Sequence, residues 1–158
     1  MGTMSFNKKS QLPVLAIVVL LAACSPPAAA PPEIVIDQTA CAHCSMLISE
    51  PRYAAAYRVD GTDKVFDDIA CLMSALAVTP DEATPQVWFG DVRDGAWITA
   101  EAATFVHAPG LRTPMAGGIV ATAHADEVAR LASRPEATVY ESFEAVRAAR
   151  GKAGRKKR

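Results

Sequence analysis

Two thiols, an imidazole and a thioether fall within one short run, Cys41-Ala42-His43-Cys44-Ser45-Met46. Thiolate and thioether together suit Cu(I), whereas Zn²⁺ is met mostly with thiolate, imidazole and carboxylate. The Cys-x-x-Cys spacing of Cys41 and Cys44 fits a metal clamp, a redox pair, half of a zinc ribbon or covalent haem attachment. Haem attachment requires His directly after the second Cys, where Ser45 stands, and a four-Cys ribbon requires a second Cys-x-x-Cys, which is missing. A zinc site of three Cys and one His that draws in Cys71 stays open, as does a plain Cys41–Cys44 disulfide.

Other residues could join this chemistry. Met46 follows Cys44 by two positions, so in an extended strand both side chains face the same way. Met115 sits in Thr113-Pro114-Met115-Ala116-Gly117-Gly118, a loop where a flexible apolar side chain adds little to a core and can close over a metal. Met73 shares a helical stripe with Ile69 and Leu76 and reads as core, while Cys71 projects roughly opposite that stripe, towards another layer or the metal loop. His43 is an optional ligand; His107 and His124 are isolated.

The elements that must position these groups follow from local pattern. Residues 33–36 form a short β-prone stretch leading into the Cys segment, and Pro51 breaks any helix there. Residues 53–59 and 64–66 flank the turn-rich 60–63 and read as a hairpin. Asp67 or Asp68 then caps a helix carrying Ile69, Leu72, Met73 and Leu76, which stops at Thr79-Pro80. A strand at 86–92 pairs through Asp94-Gly95 with 96–99. After the Pro- and Gly-rich loop 108–118 come a strand at 119–122, a helix at 126–133, a strand at 138–140 and a helix at 142–150 that starts at Ser142. The first half thus has an echo, with strands 97–99 and 119–122 as its hairpin, followed by helix and strand.

The ends of the chain carry different signals. Lys8 and Lys9 precede an apolar run over 12–23 that is shorter than a membrane span and ends in Leu21-Ala22-Ala23-Cys24. This resembles a bacterial lipobox and implies cleavage before Cys24, acylation of Cys24 and, with Ser25 next, export towards the outer membrane. Residues 24–32 are then the lipidated Cys and a Pro/Ala spacer, 33–150 one metal-binding domain and 151–158 a basic disordered tail. Lipidation leaves Cys41, Cys44 and Cys71 in an oxidising compartment, an odd count that points to a reactive thiol or a metal ligand. A net charge of −1 gives no reason to expect a nucleic-acid partner. No Ser/His/Asp triad or phosphate-cradling Gly loop marks an enzyme.

Taken together, Cys24, Cys41-x-x-Cys44-x-Met46, Phe66-Asp67-Asp68-Ile69-x-Cys71-Leu72-Met73 and Thr113-Pro114-Met115 resemble the NosL family, copper-binding accessory lipoproteins encoded with nitrous oxide reductase. The resemblance spans everything after the leader except the tail. It implies an α+β fold of two ββαβ units with antiparallel sheets, related to the organomercurial lyase fold. It further implies one Cu(I) per chain held by Cys44, Met46 and Met115, with Cys41 and His43 as helpers; Cys71, from its place opposite the apolar helix stripe, is the candidate accessory thiol. The implied partner is nitrous oxide reductase or its membrane maturation complex, and the implied form a monomer anchored on the periplasmic side of the envelope. The family commonly carries Gly where this chain has Ser45 and Ala116. A thiol–disulfide protein using Cys41 and Cys44, or a general Zn or Hg carrier, is the alternative.

Overall fold

A computed structural model of the chain describes residues 1–2, 30–78 and 86–156, with 150–156 as backbone only. Residues 3–29, with the lipobox and Cys24, and residues 79–85, with the expected helix stop at Thr79-Pro80, lie outside the described residues. Among the described residues no helix is long and apolar enough to cross a membrane.

β1 (Ala55–Val59) and β2 (Thr62–Phe66) form a hairpin in register Ala55↔Phe66 to Val59↔Thr62. Its two-residue loop, Asp60-Gly61, has φ of 48° and 73°, the positive pair that a twist-matched hairpin turn demands and that Asp-Gly supplies cheaply. α1 (Ile69–Val78) crosses back, and β3 (Gln86–Gly90) pairs antiparallel with β1 on its other side. β4 (Trp97–Thr99) adds to β3 through a turn at Gly95, so the first sheet has the order β2-β1-β3-β4. The second half repeats the device. β5 (Thr104–His107) and β6 (Ile119–Thr122) pair antiparallel, α2 (Ala125–Ala132) follows, and β7 (Thr138–Tyr140) returns to β5, giving β6-β5-β7. α3 (Phe143–Lys156) closes the described chain. In both halves the first strand is central, the second flanks it through a hairpin and the third through a helix.

Three local expectations change. The hairpin of the second unit uses β5, not the strand at 97–99, which belongs to the first sheet as β4. Residues 33–36 form no strand; the Val35 N–H donates to Thr39 Oγ1 at 2.9 Å and the Val35 carbonyl accepts from Thr39 N–H at 2.9 Å, making a tight turn. The last helix runs on to Lys156 instead of ending at Arg150.

The two units share one core. Phe89 of β3, Phe105 of β5 and Phe143 of α3 stack on one another with ring centroids 4.8–6.0 Å apart, two of the three pairs edge-on, an arrangement that adds about 0.5–1.5 kcal/mol per pair beyond burial. Gly90 is required where β3 runs past the 3-10 turn Pro51–Tyr53, because a Cβ there would lie 1.9 Å from the Pro51 carbonyl oxygen. Where β3 ends, Val92 N–H donates to the Ala121 carbonyl at 2.9 Å. Beside it the buried Asp91 carboxylate accepts from Thr122 Oγ1 at 3.0 Å and Ala123 N–H at 2.8 Å, binding the sheets together.

Candidate metal centre

The Cys segment folds back on itself. Ala40 and Leu47 form an isolated antiparallel bridge, Cys41 N–H donates to the Met46 carbonyl at 2.8 Å, and inside that bond Ser45 N–H reaches the Cys41 carbonyl at 3.0 Å. The result is a single helical turn over the Cys-x-x-Cys, reversed by Ser45 at φ 64°. The extended run from Cys44 to Met46 expected from the sequence is therefore interrupted: a left-handed residue stands between them, and Met46 lies on the returning arm. Ala42 N–H pins the turn to β2 through the Val65 carbonyl at 2.8 Å.

That docking sets the thiols against the start of α1. The Cys41, Cys44 and Cys71 sulfurs and an Asp67 carboxylate oxygen lie within 4.8 Å of one another. None of the three thiols is disulfide-bonded. Cys41, Cys71 and Asp67 are buried, and Cys44 is half-buried. The Cys44 thiol donates to both Asp67 oxygens, at 3.5 and 3.6 Å. Burial pushes the Cys41 thiol above its ordinary value, and it pushes Cys71 up strongly, with Asp67 and Cys41 alongside adding to the effect. Both thiols are thus protonated near neutral pH, and a metal must displace those protons to bind. The donor set, three soft sulfurs and one oxygen, fits a thiophilic cation.

The paired aspartates divide their work. Asp68 accepts from Ala70 N–H at 2.7 Å and caps α1. Its other oxygen accepts from Thr113 Oγ1 at 2.6 Å and Met115 N–H at 2.8 Å, so the 108–118 loop of the second unit is tied to the helix that carries Cys71. Gly117 allows the approach: a Cβ there would come within 2.7 Å of Ala70 Cβ. Ala116 closes this loop at φ 53°.

Of the residues singled out from sequence, Cys41, Cys44 and Cys71 come together. The Cys71 sulfur lies within the same cluster as those of Cys41 and Cys44. Met46 and Met115 are 52% and 40% exposed, and His43 is exposed and outside the four-residue group. Asp67, read from the sequence only as a candidate cap, joins the cluster as well. Its signal was present in the doubled Asp67-Asp68, since one N-cap position uses one aspartate and leaves the other to be explained.

Fold and pocket together define a two-unit α+β protein with a soft-donor cluster where its first crossover helix begins. The sequence matches no protein-family model and no curated protein sequence. The fold is similar to the crystal structure of the copper chaperone NosL from Shewanella denitrificans, with a TM-score of 0.61 and 21% identity, over 73% of this chain and 96% of that one. The likeness is one of fold, and it bears out the two-unit α+β architecture that the motifs implied.

Proposed function

We propose that this chain binds one Cu(I) in the pocket of Cys41, Cys44, Cys71 and Asp67 and passes it on as a metallochaperone. The observation that carries the reading is the convergence of three thiols and a carboxylate within 4.8 Å, on a fold shared with a copper chaperone. Cys41 and Cys71 supply buried sulfur that shields the ion from water, while half-buried Cys44 and exposed Met46 form the side from which a client's ligand attacks. Exchange through such an open position releases metal without unfolding the carrier. The client we assign is nitrous oxide reductase or its membrane maturation complex, met by a lipid-anchored form of this chain on the periplasmic side. Met115, on a loop held by Asp68, is the further soft ligand available to cover the ion. Zn²⁺ carriage is a second reading, favoured by Asp67, since carboxylate is an ordinary zinc donor. A dithiol redox role fits less well, because burial pushes the Cys41 thiol up and an attacking sulfur must be thiolate.

The test is an anaerobic Cu(I) titration of the full chain in mild detergent against a chromophoric chelator, with Zn²⁺ as competitor, at several pH values. About one equivalent should bind. Even outer-shell partners cost ~10–100-fold in metal affinity, so Cys71→Ser should weaken binding by about tenfold or more. Because thiols held up by burial must lose protons first, affinity should climb as pH rises from 6 towards 8. Failure to compete for Cu(I), or a Cys71→Ser protein that binds as tightly as the parent, would sink the reading; preference for Zn²⁺ would favour the alternative.

A further inference from the structure

A second concavity lies away from the thiols, bounded by the 3-10 turn, the near end of the 108–118 loop and the end of α2. It is a cleft of about 420 Å³. Arg52, Arg112, Arg130 and Arg134 line it, over a floor that includes Tyr53 and Leu131. In a chain of net charge −1, four guanidinium groups on one small cleft are a marked local excess. Two are offset: Arg52 pairs with Glu50, and Arg130 pairs with Glu127. Arg134 donates to the Gly110 carbonyl at 3.1 Å, which leaves its charge uncompensated. Among the described residues Arg112 meets no carboxylate. Two unbalanced positive charges therefore remain, on side chains whose planar forks match the oxygens of a phosphate.

We propose that this cleft binds a phosphate dianion, either free or as the head of a small phosphomonoester. The charge count selects a dianion over the single charge of a lipid phosphodiester. The volume falls in the range of small-molecule sites and leaves room for a short organic group beside the phosphate. A small concave site with a mostly polar, arginine-rich lining suits a compact anion better than an extended acidic peptide. Arginines near a helix C-terminus also offset its dipole, which would account for Arg130 and Arg134 but not for Arg52 and Arg112 in the same cleft. The assignment is independent of the copper reading.

The experiment is a titration of the ¹⁵N-labelled full chain in maltoside micelles with inorganic phosphate at constant ionic strength. Saturable shifts are expected at the amides of Gly110, Leu111, Arg112 and Arg134. Each charge-assisted contact is worth ~1.5–3 kcal/mol, so Arg112→Gln and Arg134→Gln should each weaken binding about tenfold or more. Arg112 is exposed and Arg134 half-buried, and an unchanged thermal melt verifies the fold of each variant. Parallel titrations use glycerophosphoglycerol, the headgroup of an anionic phosphodiester lipid, and an octaglutamate peptide; both should bind more weakly than phosphate. Shifts that do not saturate, affinity untouched in both variants, or tighter binding of the diester or the peptide would each overturn the proposal.

Discussion

Ser45 and Ala116 hold φ of 64° and 53°, in the left-handed region where a side chain is strained and glycine is not. They close the Cys41–Met46 turn and the 108–118 loop, and they are the two positions where the family resembled by this sequence commonly has Gly. At both positions the backbone is left-handed although the residue carries a side chain. Ser45→Gly and Ala116→Gly should therefore each stabilise the protein by about 0.5–1 kcal/mol, since relief of an unfavourable φ outweighs glycine's extra unfolded-state freedom. Urea denaturation checks this, and a loss of stability in both would show that neither loop is held in this conformation. Sequence made the cysteines legible because sulfur chemistry is rare and its spacing is informative. Asp67 was half legible: the doubled Asp67-Asp68 left one aspartate over, but either reads as the cap until the three-dimensional path gives that role to Asp68.

At the scale of elements, the start of α1 is where the thiol cluster and the 108–118 loop are both attached. Asp68 caps the helix and holds Thr113 and Met115 with the same carboxylate. Asp68→Ala should cost about 2–4 kcal/mol, the sum of a lost N-cap and a buried Thr113 hydroxyl left without its acceptor. Amide exchange at Met115 should accelerate beyond what global destabilisation accounts for. An unchanged exchange rate there would mean that the loop is positioned by packing alone. Elements with punctuation were readable: Asp60-Gly61 and Asp94-Gly95 each separated strands that pair. β5 was not, because residues 100–103 between it and β4 contain no Gly or Pro, and a four-residue strand has too little alternation to announce itself. Residues 33–36 had strand composition but meet no partner strand, and a turn bonded through Thr39 satisfies their backbone instead.

Over the whole molecule, the repeated ββαβ order was visible as an echo, although which strand opened the second unit was not, since pairing is decided by partners far apart in sequence. The joint between units depends on Asp91, which is 1% exposed and accepts from Arg93 N–H as well as from Thr122 and Ala123. Asp91→Ala leaves those donors unmet, and should lower stability by about 2–4 kcal/mol with an unchanged denaturant slope. A loss well under 1 kcal/mol would mean that water or neighbouring groups replace the carboxylate. The seam is completed by Phe143, which stacks against both Phe89 and Phe105. Synthesis runs from the N-terminus and domains form as units. A growing chain therefore displays Cys41, Cys44 and Cys71 before Phe105 and Phe143, which belong to the same core, have been made. The thiols are made early and much of the core that buries them is made late, so they pass through an interval of biogenesis in which they are open to oxidation, and only a completed chain closes it.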